Sequence, residues 1–236
     1  MTPTLEFCNV WKGYETGLVV LRGLSFALHC GEIALLIGEN GAGKTTAFDI
    51  ACGNQIADRG AVSIHGLVVA GRSPDAIARM GVRRMYQFPT IFQSLSIRDN
   101  ILIGVRPQFY SSFRPWPFCG KRRQMWDEVQ DLSLPLFRSC SFLRNWRTLA
   151  GDLSFGQQRV VDFLRVIANS RRDTVLLLDE PFAGIHRDLA EIMWAMVCEL
   201  APRGATVLVV EHENDVGRFN GMRRLRLCGG SLQCVA

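Results

Sequence analysis

GEIALLIGENGAGKTTAFDI, Gly31 to Ile50, reads as a strand, a loop and a helix in succession. Gly31–Gly38 is almost continuously apolar, as a strand buried on both faces must be. Gly38 to Thr45, GENGAGKT, then matches the phosphate-loop pattern G-x-x-x-x-G-K-[ST] between that strand and a following helix. Each residue type meets a physical need. Gly38, Gly41 and Gly43 let backbone N–H groups turn inward around phosphate oxygens. Lys44 brings a point charge to the β- and γ-phosphates. The Thr45 hydroxyl suits Mg²⁺, and the helix start adds its dipole. The loop residues Gly38, Glu39, Asn40, Gly41, Ala42, Gly43, Lys44, Thr45 and Thr46 are therefore candidates for holding a nucleoside triphosphate.

Working outward, TVLLLDE ends a second apolar strand on two carboxylates. Asp179 falls at the strand's carboxyl end, where an open α/β sheet binds ligands, and suits Mg²⁺. Glu180, next to it, is placed to act as general base on a water. Between the two motifs lies a second glycine-containing helix start, LSFGQQR, Leu153 to Arg159. A Ser followed by a bare helix N-terminus is again anion-binding chemistry.

The remaining pattern is that of an α/β chain. LEFCNV (5–10), LSFAL (24–28) and ATVLVV (205–210) predict strands, and 60–69 predicts a hairpin. KTTAFDIACGNQ (44–55), 73–81, 154–169 and a region near 187–200 predict helices. Ser73 caps the second of these, with Pro74 at its first position. A final hairpin is expected to turn at Gly229–Gly230. From Val105 to Thr148 the composition changes. Four prolines, several aromatics and eight basic residues against three acids predict part of an inserted, mostly helical lobe.

The bulk numbers set bounds. The chain has 236 residues, 48% of them hydrophobic and 21% charged, enough for a sizeable core. A net charge of +5 is too mild to argue for nucleic acid, and no nucleic-acid partner is expected. No charged leader precedes an apolar run, and no apolar stretch of about 18 residues occurs. The eight cysteines form no C-x-x-C pair, so free thiols are expected rather than a zinc site. His29, His65 and His186 carry no expected site role.

Taken together, the motifs resemble those of the ATP-binding subunit of an ABC transporter, in the family's own order and over almost the whole chain. LSFGQQR is similar to the family's signature loop, with Phe155 in place of a glycine. Its Gln157 precedes Asp179 by 22 residues. MYQFP resembles the Q-loop, VEHEND the switch and AGIH the D-loop, while WKGYET puts Tyr14 where the family stacks an aromatic on adenine. The resemblance implies a P-loop NTPase with a mostly parallel core sheet, an N-terminal antiparallel β subdomain and a helical signature subdomain. It implies a nucleotide-binding core over 1–88 and 172–236, and a helical subdomain over 89–171.

The same resemblance implies ATP hydrolysis with Mg²⁺. Glu180, His212, Gln87 and Lys44 would be catalytic, and Thr45, Gln87 and Asp179 would serve the metal. Tyr14 would seat the base. Ser154, Phe155, Gly156 and Gln157 would close on the ATP held by a second subunit, in a head-to-tail homo- or heterodimer. Transmembrane permease subunits would be the other partners, on the cytoplasmic face of the membrane. GAGKTTAFDIACG and RMGVRRMYQFPTIFQSLSIRDNILIG are most similar to the branched-chain amino-acid importer type. Lipopolysaccharide exporters share EPFAG, and a soluble iron–sulfur assembly scaffold is a further alternative. The D-loop departs from the family by placing His186 where Asp or Asn is usual. A nucleotide kinase would lack the second glycine loop, and a small GTPase would carry an Asn-Lys-x-Asp that this chain does not have.

Overall fold

The computed structural model describes residues 2–14, 17–105, 119–168, 170–211, 219 and 221–233. They divide into two compact units. The first comprises Met1–Arg84, Arg171–Glu180 and Cys198–Ala236; the second comprises Met85–Ser170 and Pro181–Val197.

The first unit contains, in chain order, β1 (Leu5–Gly13), β2 (Val19–Leu28), β3 (Ile33–Ile37), α1 (Lys44–Ala51), β4 (Arg59–Ile64), β5 (Leu67–Val68), α2 (Pro74–Arg79) and β6 (Val82–Met85). β7 (Val175–Asp179) precedes the last helix of the second unit, and β8 (Thr206–Glu211), β9 (Arg223–Cys228) and β10 (Ser231–Gln233) follow it. Met85 alone of β6 belongs to the second unit.

Two sheets result, with strand orders β2-β1-β4-β5 and β10-β9-β3-β8-β7-β6. The four-stranded sheet is antiparallel. In the six-stranded sheet β3 pairs in parallel with β8 and β9, β8 pairs in parallel with β7, and β10 closes antiparallel on β9. Every residue of β3, β7 and β8 is buried, which is why these strands read as unbroken apolar runs. β1 instead alternates, and sends Leu5 and Phe7 inward to meet the core that Leu36, Leu177 and Leu208 fill from the other sheet and Phe48 from α1. Phe7 stacks on Phe26 at 4.6 Å between ring centroids.

Several boundaries differ from the pattern-based expectation. α1 stops at Ala51 rather than running to Gln55. Cys52 caps it, and Gly53 turns the chain at φ +76°, where a Cβ would lie 2.6 Å from Ile77 Cδ1. β1 and β2 are longer than their apolar cores. The sequence pattern does not announce β6, because only Val82 and Met85 of its four residues are buried and two arginines stand between them. The helix start at Ser73 behaves as its residues predict: Ser73 Oγ accepts from Ala76 N at 3.3 Å, with Pro74 following. The last hairpin turns at Gly229 and Gly230, both at positive φ.

The second unit is helical: α3 (Ile97–Val105), α4 (Cys119–Leu132), α5 (Leu134–Ser139), α6 (Ser141–Arg144), a short 3-10 turn over Ala150–Asp152, α7 (Phe155–Ile167) and most of α8 (Arg187–Leu200). α3 and α7 touch backbone to backbone, since a Cβ on Gly104 would lie 1.9 Å from Arg165 O. Trp126 of α4 meets Phe137 edge-on at 5.7 Å and Trp146 at 6.1 Å.

Candidate nucleotide site

β3 delivers the phosphate loop. Gly38 passes so close to β9 that a Cβ would meet Leu227 O at 2.4 Å, so the residue there must be bare. Gly41 and Gly43 take φ of +79° and +105°, and Gly43 is the cap of α1. These left-handed residues turn the chain so that successive N–H groups can face a concavity. Glu39, Asn40 and Gly41 are exposed, and Ala42 N donates back to Glu39 O at 3.2 Å.

Lys44 is buried and donates to Gly38 O at 2.6 Å and Glu39 O at 2.9 Å, spanning the loop from within. Burial pushes its ammonium below the ordinary value, while the carboxylates of Glu180 and Asp179 push it back up. An ammonium held by neutral carbonyls and facing two carboxylates suits a polyanion brought with its own counter-cation.

Asp179 ends β7 and is buried. The next residue, Glu180, stands at φ +46°, and its N–H donates to Val210 O at 3.0 Å. A β-carbon-bearing residue in the left-handed region costs about 1–2 kcal/mol. Strain of this kind gathers where a side chain must be aimed. Thr45 is exposed at the start of α1, and Thr46, beside it, is buried. The donor set offered by Thr45 and Asp179 is hydroxyl and carboxylate oxygen, which fits Mg²⁺, a cation that keeps water and phosphate for its other positions.

Tyr14 belongs to the same unit. It is 42% exposed, and its Oη lies 3.3 Å from Thr46 Oγ1 and donates to Gln55 Oε1 at 3.1 Å. Its ring is therefore tethered at the hydroxyl end beside α1. Of its aromatic neighbours, Phe7 is core and Trp11 is tied by its indole N–H to Asn9 at 2.9 Å.

Gln87 and the signature residues lie in the second unit. Ser154 caps α7 with a full capping box: Gln157 N donates to Ser154 Oγ at 3.4 Å, and Ser154 N donates to Gln157 Oε1 at 3.0 Å. Helix geometry gives the N–H groups of Phe155 and Gly156 no acceptor within α7. Phe155 is 49% exposed. A Cβ on Gly156 would meet nothing closer than Gly184 O at 3.6 Å, an ordinary contact. Nothing within the described residues requires a bare backbone there. In the D-loop stretch, His186 Nδ1 stands 3.7 Å from Asp188 Oδ2, both side chains being exposed. His212 lies outside the described residues; β8 ends one residue before it, with Val210 paired to Asp179 and Glu211 to Ile37.

Motif reading overlooked the residues that hold the Q-loop. Arg159, fully buried in α7, donates from Nη1 to Tyr86 O and Gln87 O. Asp162, also fully buried, accepts from Thr90 N at 3.3 Å, and Arg165 bonds both Asp162 and Thr90. Desolvation pushes the Asp162 carboxyl up, against the pull of Arg165. The available signal was a charge at each of 159 and 162 inside an otherwise apolar helix face, since buried charges demand partners.

The ABC transporter family model matches residues 21–183. This chain belongs to the ABC transporter family. A relative from Archaeoglobus fulgidus, described as a probable branched-chain amino acid transport ATP-binding protein, is 28% identical over 90% of this chain and 80% of its own length. A Nod factor export ATP-binding protein from Burkholderia orbicola is 32% identical over 88% of this chain and 62% of its own length. Among solved structures, a nucleotide-free ATP-binding cassette from an ABC transporter is 26% identical with a TM-score of 0.77, covering 98% of this chain and 90% of that one. A dimeric cassette in a post-hydrolysis state with ADP and Pi shares the fold at TM-score 0.78 and 23% identity, covering 98% and 97%. The cassette described here is thus an ATPase that binds and hydrolyses ATP. Among the described residues, no helix of this cassette is long and apolar enough to cross a membrane.

Proposed function

We propose that this ABC cassette energises a branched-chain amino-acid-type importer, hydrolysing MgATP at two sites shared by a head-to-tail pair. Gly38–Thr46 cradle the triphosphate, Lys44 meets the β- and γ-phosphates, and Tyr14 stacks on adenine. Thr45, Asp179 and Gln87 serve Mg²⁺. When bound, that ion supplies charge neutralisation across the transferred phosphate. Glu180 takes the proton of the attacking water, Gln87 orients that water, and His212 holds the γ-phosphate. Ser154, Phe155, Gly156 and Gln157 act on the ATP of the other subunit.

One observation carries the shared-site reading. The capped start of α7 leaves the N–H groups of Phe155 and Gly156 without an acceptor in the helix, beside an exposed Phe155 side chain and in a different unit from the chain's own phosphate loop. The same unit exposes Phe88, Phe92 and Leu149, and Leu149 bridges Ser96 across a short antiparallel pairing. That apolar surface next to the Q-loop suits a permease helix and supports the reading of peripheral attachment at the cytoplasmic face.

The importer assignment is supported by the relatives from Archaeoglobus fulgidus and Methanocaldococcus jannaschii, each aligned over 90% or more of this chain. The Nod factor relatives support export as the second reading. Loss of this chain in its host should abolish uptake of labelled leucine, with restoration by the wild-type chain and none by Glu180→Gln. Uptake that persists without the chain would contradict the importer assignment and favour export.

A further inference from the structure

Arg84 of β6 stands at the edge of the core sheet, beside β7. Its side chain and that of Asp179 are each only 5% exposed. The guanidinium fork is divided between two carboxylates. Nη1 donates to Asp49 Oδ1 at 2.5 Å, while Nη2 stands 3.7 Å from Asp179 Oδ2. The ring of Phe48 lies 5.7 Å from the guanidinium carbon. Asp49 is itself held: Gln55 Nε2 donates to its Oδ2 at 3.3 Å, and Asn54 Nδ2 to its Oδ1 at 3.4 Å. The backbone N–H groups of Asn54 and Gln55 close on its carbonyl.

The inequality of the two contacts matters. A guanidinium drawn fully onto Asp179 would neutralise that carboxylate and compete with a divalent cation for it. A missing guanidinium would take one of its facing cations from a buried carboxylate, with Lys44 remaining, which is unfavourable. With Asp49 as the short partner, Arg84 is kept one step back. It faces Asp179 closely enough to orient it and too far to replace a metal. Asp49 rides on α1, the helix that begins with Lys44 and Thr45, so a single side chain ties the phosphate-loop helix to the end of β7.

We infer that Arg84, clamped by Asp49, is a positioning residue that fixes the Asp179 carboxylate for the metal of the bound nucleotide. The inference rests on the reading of Asp179 as a metal carboxylate. A lysine cannot reproduce the arrangement, because its single ammonium lacks the planar fork that divides between two acids. Partners one shell behind a metal ligand change metal affinity by about 10–100-fold.

The full chain with ATP and Mn²⁺ tests this. Mn²⁺ binding is followed by electron paramagnetic resonance, and metal-free ATP binding is followed by calorimetry in EDTA. Arg84→Lys should weaken Mn²⁺ by about tenfold and leave metal-free ATP affinity unchanged. Asp49→Asn should weaken Mn²⁺ as well, because Arg84 then closes on Asp179. The double variant should be no worse than the weaker single one, as expected for two parts of one device. Parallel loss of metal-free ATP binding in Arg84→Lys would mark a merely structural residue and overturn the inference. So would unchanged Mn²⁺ affinity in Arg84→Lys while Asp179→Asn loses it, which leaves the site reading intact. If Asp179→Asn itself keeps full Mn²⁺ affinity, the metal reading of Asp179 falls, and the clamp with it.

Discussion

Cys52 closes α1 and lies buried against Arg84. Burial pushes its thiol from the ordinary 9.0 up to about 11, against the pull of the Arg84 guanidinium. The unfolded chain therefore releases this proton near pH 9, and the folded chain only near pH 11. Between those values the unfolded state binds fewer protons, so stability falls as pH rises; below pH 9 this group adds no slope. Thermal melts between pH 8 and 11 should decline more steeply for the wild type than for Cys52→Ala, and parallel declines would contradict the buried-thiol reading. At this scale the phosphate loop was legible because its glycines, lysine and threonine are adjacent in the chain. Arg84 was not, since Asp49 and Asp179 lie far from it in sequence and one of two adjacent arginines in VRRM looks like a solvated one. Tyr14 stands as a proposal from its place in WKGYET; of the aromatics near it, Phe7 is buried and Trp11 is tied to Asn9.

Elements were legible where burial is uniform. β3, β7 and β8 are buried along their whole length and advertise themselves as apolar runs. β6 and the longer ends of β1 and β2 did not, because half-exposed edge residues carry no period to read. The close approach of α3 to α7 was equally hidden, since it depends on one glycine in an ordinary helical segment. A side chain at 104 meets the backbone carbonyl of Arg165, which cannot rotate away. Gly104→Ala should therefore force the two helices apart and destabilise the cassette by about 1–3 kcal/mol, read as a lower thermal midpoint. An unchanged midpoint would mean that the helices separate at no cost. The same two helices frame the Q-loop straps from Arg159 and Asp162, so a loss of ATPase activity larger than the loss of stability is expected in that variant.

On the scale of the whole molecule, this ABC cassette carries two helix starts proposed to meet phosphate, Gly43–Thr46 and Ser154–Gln157, in separate compact units. In the proposed function the chain's own triphosphate uses the first and a partner's ATP uses the second, so that neither copy completes a site alone. The most direct test is light scattering of Glu180→Gln protein with saturating ATP, compared with the same protein also carrying Ser154→Arg. A dimer is expected for the first and a monomer for the second, with ATP still bound to both. Equal dimerisation of the two proteins would contradict the shared site.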